Sequence, residues 1–171
     1  YWIHRNVFLE WSGKGDQAFL QLGEDGNPEV MIDDALVENN LFIGNSPNSC
    51  AGAMQFKGVR DVVARANTVV GDLPSGAYAL RVGTEGENLT SSGVELRNNL
   101  FFDPTGTMGN RLVNGYGDLD LDTFVLDNNL YDNAGGALPT EGSLTPADDA
   151  NAVDGPAMLP EDQSEVILPR W

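Results

Sequence analysis

The chain is 171 residues long and 41% hydrophobic, which suits a single domain able to bury a continuous core. Its 9 basic and 26 acidic residues give a formal charge of −17 (9 − 26), which would repel nucleic acid and other polyanions. Cys50 and His4 are the single cysteine and histidine, so an internal disulfide is excluded and a zinc site or a serine-histidine-aspartate triad is hard to build.

Five short segments of similar sequence recur along the chain. They read IHRNVF (3–8), VENNLF (37–42), ARANTV (64–69), LRNNLF (96–101) and LDNNLY (126–131). Their shared asparagines are Asn6, Asn40, Asn67, Asn99 and Asn129, at intervals of 34, 27, 32 and 30 residues. A repeat of this length predicts a solenoid, in which each unit packs only on its neighbours.

Each repeat carries the alternation of short strands. Apolar residues stand five and three positions before each asparagine and two positions after it, which favours a strand on either side of a bend. A further strand follows, predicted at 19–22, 54–56, 79–82 and 111–113. Short strands, fixed bends and one loop of variable length per repeat predict an all-β fold, a parallel β-helix of about five coils.

The recurring asparagines have a structural explanation. Asparagine tolerates a left-handed backbone at a bend, and asparagines stacked in register can pair amides that would otherwise be buried without partners. We therefore predict a structural ladder formed by Asn6, Asn40, Asn67, Asn99 and Asn129.

The segments with NNLF and NTVVGD resemble the repeats of right-handed parallel β-helix proteins, the pectate-lyase-like superfamily, over residues 1–136. The wording of residues 67–74, 103–109 and 126–131 also resembles uncharacterised secreted bacterial β-helix proteins. The resemblance implies right-handed coils and a secreted or cell-surface location in a bacterium. Because the superfamily includes polysaccharide lyases, glycoside hydrolases, tailspikes and adhesins, it favours a carbohydrate ligand without deciding catalysis.

Residues 137–171 lack the repeat and are rich in proline, aspartate and alanine. We predict that they form an irregular capping tail. A mostly apolar outward row favours a cover, by this tail or alternatively by the long loops or another chain: Trp2, Leu36, Val63, Glu95 and Val125. Because the sequence starts inside a repeat, we expect the chain to be a fragment of a longer protein.

The run GDLDLD (117–122) is a candidate metal site. If it forms a strand, Asp118, Asp120 and Asp122 lie on one face, about 7 Å apart in succession. Hard carboxylate oxygens suit calcium, so calcium is a candidate cofactor. An exposed acidic face would explain the same residues.

A second candidate site binds carbohydrate. Gln21, Gln55 and Arg81 occupy equivalent outward positions, and three aromatic residues in nearby turns could stack on sugar rings: Trp11, Tyr78 and Tyr116. Another outward row alternates in charge and reads as a surface ladder: His4, Glu38, Arg65, Arg97 and Asp127.

These features favour a non-catalytic, carbohydrate-directed or adhesive scaffold, with polysaccharide as its partner. One alternative is a calcium-assisted polysaccharide lyase, with Lys57, Arg60 or Arg81 as its base, or a glycoside hydrolase. A second alternative is a structural module that self-associates through open β-helix ends. No apolar run approaches the ~18 residues of a membrane span, and nucleic acid is not expected as a partner.

Overall fold

The computed structural model describes residues 1–9, 11–26, 28–29, 31–44, 48–73 and 76–159. Two short 3₁₀ turns, Leu121–Thr123 and Pro146–Asp148, lie among the strands of these ranges. The strands are β1 (Trp2–His4), β2 (Val7–Phe8), β3 (Leu20–Leu22), β4 (Ile32–Glu38), β5 (Leu41–Ile43), β6 (Met54–Lys57), β7 (Val59–Arg65), β8 (Thr68–Val70), β9 (Leu80–Gly83), β10 (Ser92–Arg97), β11 (Leu100–Phe102), β12 (Val113–Tyr116), β13 (Val125–Asp127), β14 (Leu130–Asp132) and β15 (Val153–Asp154).

The strands form three parallel sheets. The first sheet has the order β1-β4-β7-β10-β13, the second β15-β14-β11-β8-β5-β2 and the third β12-β9-β6-β3. Successive coils thus add one strand to each wall, which makes an all-β parallel solenoid of about four turns and confirms the predicted fold class. The described residues include no helix long and apolar enough to cross a membrane.

Apolar columns fill the interior of the stack. Phe8 stacks on Phe42 with ring centroids 4.7 Å apart, and Phe101 stacks on Tyr131 at 5.6 Å. Cys50 is buried in the same core, and burial raises the pKa of its thiol to about 11. The thiol is therefore protonated near neutral pH and belongs to the packing.

The five repeated asparagines form one hydrogen-bonded column between the first and second sheets. In each pair the side-chain Oδ1 of one asparagine accepts from the backbone N–H and the Nδ2 of the asparagine before it, as Asn67 does for Asn40 at 3.0 Å. Each Nδ2 from Asn40 onward also donates to a carbonyl of the preceding coil, such as that of Val37, 2.9 Å from Asn67. The bends can therefore be buried without leaving polar groups unpaired.

The left-handed residue at each bend comes one position earlier than we expected. The residue immediately before each ladder asparagine has a φ between 51° and 56°, and these residues are Arg5, Asn39, Ala66, Asn98 and Asn128. The left-handed residue turns the chain, and the asparagine that follows is buried beneath the turn in every coil after the first. The ladder asparagines are thus required for their amides, not for their backbone conformation.

Asp149 ends the ladder at its C-terminal side. Its Oδ2 accepts from the Asn129 N–H (3.1 Å), the Asn129 Nδ2 (2.7 Å) and the Tyr131 hydroxyl (2.9 Å). Its Oδ1 accepts from the N–H groups of Asn128 and Asn151. Burial raises the pKa of Asp149, but the hydrogen bonds from Asn129, Asn151 and Tyr131 outweigh it and hold the pKa below the ordinary value.

Residues 137–159 are more closely integrated with the solenoid than an irregular tail would be. Val153 pairs with Leu130 in the second sheet, and Leu144 bridges to Val113. Leu159 packs on the outer face of the second sheet, while Trp2 on the first sheet stays 62% exposed. Residues 160–171 of the predicted tail lie outside the described residues.

We expect Asp149→Ala to lower the free energy of unfolding by about 2 kcal/mol near neutral pH, because it leaves buried donors unpaired. Asp149→Asn should cost less, since it keeps one acceptor oxygen. The pKa of Asp149 in the folded state lies below the unfolded value of about 3.9. The contribution of Asp149 to the free energy of unfolding is therefore complete above that pH, and it is lost as the pH falls through the folded pKa. Urea unfolding of the three proteins at several pH values checks this; equal stability of wild type and Asp149→Ala near neutral pH would contradict it.

Ala66→Asn should raise the free energy of unfolding by about 1 kcal/mol, because asparagine tolerates a left-handed backbone better than alanine does. The new side chain would also lie between Asn39 and Asn98 in the column of left-handed residues. Asn98 already accepts a hydrogen bond from the next residue of that column, Asn128. Urea unfolding measures the gain. Asn98→Ala is the reciprocal variant and should lose stability; a loss from Ala66→Asn would contradict the assignment.

Candidate functional site

The outer face of the third sheet carries two rows of polar side chains. Pairing in this sheet aligns Gln21 with Gln55, Gln55 with Arg81, and Arg81 with Asn114. Two residues further along the strands, Lys57 aligns with Gly83 and Gly83 with Tyr116. Because side chains alternate along a strand, all of these positions share the face opposite the core. Gln21, Gln55 and Arg81 are thus neighbours in one row.

Gln55 is the most unusual member of this face. Although it points away from the core, it is 0% exposed, and neither its Nε2 nor its Oε1 has a hydrogen-bond partner among the described residues. A buried amide without partners costs free energy, and native structures contain few of them. We call Gln55, Lys57, Arg81 and Tyr116 the Gln55 cluster.

Tyr116 and Arg81 stack on this face. A Cβ at position 83 would lie 2.5 Å from the Tyr116 ring, so the glycine at that position lets the ring lie flat on strand β9. The guanidinium carbon of Arg81 is 4.5 Å from the centroid of the same ring, in a cation–π contact. The Tyr116 hydroxyl is buried, which raises the pKa of Tyr116, and it lies close to the Gln55 amide, which lowers that pKa, although the two groups do not meet hydrogen-bond geometry.

Tyr116 and Lys57 keep their ordinary charges near neutral pH. Burial raises the pKa of Tyr116 and outweighs the opposing effect of Lys57 and Arg81, so the phenol stays protonated. Burial lowers the pKa of Lys57, but a hydrogen bond to Asp25 and the nearby Glu85 leave it above its ordinary value. Lys57 Nζ lies 2.6 Å from Asp25 Oδ1.

Two acidic loops border the cluster and are joined to each other. The loop after β3 carries Asp25, and the loop after β9 carries Glu85. The Gly26 N–H donates to the Glu85 carbonyl at 3.0 Å, and Asn88 Nδ2 donates to the Glu24 carbonyl at 3.0 Å. These contacts fix where the two carboxylates lie relative to the third sheet.

The other predicted aromatic residues lie elsewhere. Tyr78 is buried in the core, where its hydroxyl donates to the carbonyls of Gly71 and Phe102. Trp11 packs on Phe19 and donates from Nε1 to the Ser49 carbonyl. Local packing and backbone hydrogen bonds therefore account for both residues.

The placement of Tyr116 in a turn was wrong, because β12 covers Val113–Tyr116 and not residues 111–113. The signal that locates it was present in the sequence. The offset of 15 residues from Asn6 to Gln21 and from Asn40 to Gln55 leads from Asn99 to Asn114, two residues before Tyr116.

The three aspartates of the predicted metal site do not lie along one strand. Strand β12 ends before Gly117, whose φ is 71°, and Asp122 lies in the 3₁₀ turn Leu121–Thr123. Asp118 accepts a hydrogen bond from the Thr90 hydroxyl, and the Asp120 carbonyl accepts from Thr123. Within the described part of the chain, no group of three or more His, Cys, Asp or Glu residues has a metal-binding arrangement.

The charged row on the first sheet behaves as a surface ladder. Arg65 Nε lies 2.9 Å from Glu38 Oε2, and Arg97 pairs with Asp127 at 2.7 Å. The Arg60 Nε likewise donates to Asp33 Oδ1 at 3.1 Å. Arg81, by contrast, has no carboxylate partner among the described residues, so its charge is available at the third sheet.

No family model matches the chain, and neither a curated protein nor a solved structure matches it. The likeness to pectate-lyase-like proteins thus rests on the repeat sequences alone. The side chains on the third sheet are therefore the basis for assigning a function.

Gly83→Ala should displace the Tyr116 ring, because the added methyl group would occupy its position. The pKa of Tyr116 should then fall toward its ordinary value as the phenol becomes solvated. Spectrophotometric titration measures this, and Tyr116→Phe identifies the transition that belongs to Tyr116. Gly76→Ala is a matched control, since its Cβ would make only an ordinary 3.5 Å contact; an unchanged titration of Gly83→Ala would contradict the placement of the ring.

Proposed function

We propose that this chain is a non-catalytic carbohydrate-binding scaffold, secreted or displayed on a bacterial cell surface, that holds glycan on the outer face of its third sheet. The observation that supports the binding site is the Gln55 amide, which is fully buried without a hydrogen-bond partner among the described residues. A ligand that pairs with this amide would recover the free energy that burial costs it.

Sugar hydroxyls suit the polar groups on this face. A primary amide has two donor hydrogens and an acceptor oxygen, and a hydroxyl both donates and accepts. The Tyr116 hydroxyl adds a further unpaired group beside the amide. If Arg81 moves off the Tyr116 ring, the ring offers an apolar face of the kind that ligand sites combine with few polar groups.

The solenoid suits an extended ligand. Neighbouring strands lie about 4.8 Å apart, so the row formed by Gln21, Gln55, Arg81 and Asn114 is a regular line of polar side chains along the axis. Backbone hydrogen bonds fix every strand in this sheet, so the backbone of the row is preorganised, which lowers the entropic cost of binding a chain of sugars.

The enzymatic alternative has weaker support. A calcium-assisted lyase needs clustered carboxylates beside a base, whereas Lys57 contacts a single carboxylate among the described residues, that of Asp25. Release of unsaturated products, detected by ultraviolet absorbance, would favour the lyase over the binding scaffold.

The assembly alternative rests on the first coil. Strands β1, β2 and β3 each stand at the edge of a sheet, and the described residues of this coil include four exposed large apolar side chains: Tyr1, Trp2, Val7 and Leu9. Sedimentation velocity tests it: concentration-dependent growth that Trp2→Lys abolishes would favour assembly, and a constant sedimentation coefficient would exclude it.

Gln55→Met tests the proposed function, because it keeps the length of the side chain and removes both hydrogen-bonding atoms. We expect the wild type to be retarded in gels that contain a polysaccharide ligand, and the variant to bind roughly tenfold more weakly. Arg60→Gln on the first sheet is the control and should bind as the wild type does. Equal retardation of wild type and Gln55→Met would contradict a site at Gln55.

A further inference from the structure

The charges around Gln55 are arranged in two layers. Lys57, whose side chain is 9% exposed, and Arg81, which is partly buried, are the inner cations. Asp25, whose side chain is 46% exposed, and the exposed Glu85 are the outer carboxylates. The two cations and two carboxylates balance, although the whole chain has a formal charge of −17.

This arrangement disfavours a charged ligand of either sign. An anionic sugar would approach past Asp25 and Glu85 and would compete with Asp25 for Lys57. A cationic sugar would be brought against Lys57 and Arg81, and no described residue of the cluster itself carries a negative charge. A neutral ligand meets neither repulsion.

The unpaired atoms at the centre are themselves neutral. Gln55 presents an amide donor and an amide acceptor, and Tyr116 keeps its phenolic proton near neutral pH. Adjacent hydroxyls on one sugar ring can satisfy both amide atoms at once, with one hydroxyl accepting from Nε2 and the other donating to Oε1.

We propose that the Gln55 cluster selects a neutral sugar residue, held by two adjacent hydroxyls on the Gln55 amide, over uronic acids and amino sugars. This selectivity rests on the proposed function, since it assigns the ligand class of the same site. Asp25 and Glu85 are its specificity-determining residues, because they make the approach to the cluster unfavourable for an anion.

Two side chains must move to admit the sugar. Arg81 and Tyr116 stack on each other, and no side-chain hydrogen bond or ion pair among the described residues holds either of them. Lys57, in contrast, is held by Asp25. Arg81 and Tyr116 are therefore the covering pair, and Lys57 is part of the fixed floor.

A glycan array with neutral, uronic-acid and amino-sugar oligosaccharides tests the ligand class, with wild type and Gln55→Met compared on every spot. We expect the wild type to bind neutral glycans and Gln55→Met to bind them roughly tenfold more weakly. Thermal unfolding confirms that the variant folds, and Gln55→Asn, which keeps the amide, should retain part of the binding.

The array outcomes separate the two proposals. Gln55-dependent binding of uronic-acid or amino-sugar glycans in preference to neutral ones would overturn the selectivity and leave carbohydrate binding intact. The absence of any Gln55-dependent spot would overturn both.

A charge variant tests the role of the two outer carboxylates. Asp25→Asn combined with Glu85→Gln should let uronic-acid oligosaccharides bind at least about threefold more tightly than to the wild type, with neutral glycans little changed. The matched control is Glu24→Gln combined with Glu87→Gln, which changes the net charge equally in the same two loops. Equal gains in both double variants would show a general charge effect and would overturn the assignment to Asp25 and Glu85.

Discussion

The asparagine ladder is the interaction on which the rest of the structure depends. At every coil the chain bends between the first and second sheets, and the bend buries backbone and side-chain amides. The hydrogen bonds from each asparagine to the next satisfy those amides and tie the coils together at a fixed position, as in the pair Asn67 and Asn99. A coil shifted by one residue would lose these bonds and turn its apolar side chains outward.

The ladder also determines what appears on the third sheet. Because the offset from each ladder asparagine to the third sheet is nearly constant, a fixed bend places Gln21, Gln55 and Arg81 in one row. The same stacking places the Tyr116 ring over Gly83, on the face of the third sheet that carries Gln55. Residues about thirty positions apart in sequence therefore meet without any long loop to position them.

The fold could be predicted from the sequence because the spacing of the repeat determines which residues of successive coils pair. The interval between asparagines predicted stacked coils, and the residues two positions after each asparagine form an interior apolar column of four aromatic residues and Val69. Right-handedness and a count of five coils stay predictions.

The site was only partly predictable, because its features depend on contacts between coils. Alternation placed Gln55 outward, which implies exposure, but Gln55 is fully buried. The contact between Arg81 and Tyr116 on the same face follows only once β12 is in register. The GDLDLD run (117–122) has the alternation of a strand but does not form one. The glycine at 117 has a positive φ and residues 121–123 form a 3₁₀ turn, so its three aspartates do not follow one another along a strand. At the C-terminal end, Asp149 accepts hydrogen bonds from the last ladder asparagine, Asn129, although it does not lie in a repeat sequence that would have predicted this role.

The side-chain amide resonance of Gln55 is the most direct test of the account. Nuclear magnetic resonance of the ¹⁵N-labelled protein would follow that signal, with the Arg81 guanidinium signal, while neutral oligosaccharides are added. The account predicts saturable shifts at Gln55 and Arg81 and little change at Arg60 or Arg65 on the first sheet. Unchanged Gln55 signals with shifts on the first sheet, or no shift at any glycan concentration, would contradict it.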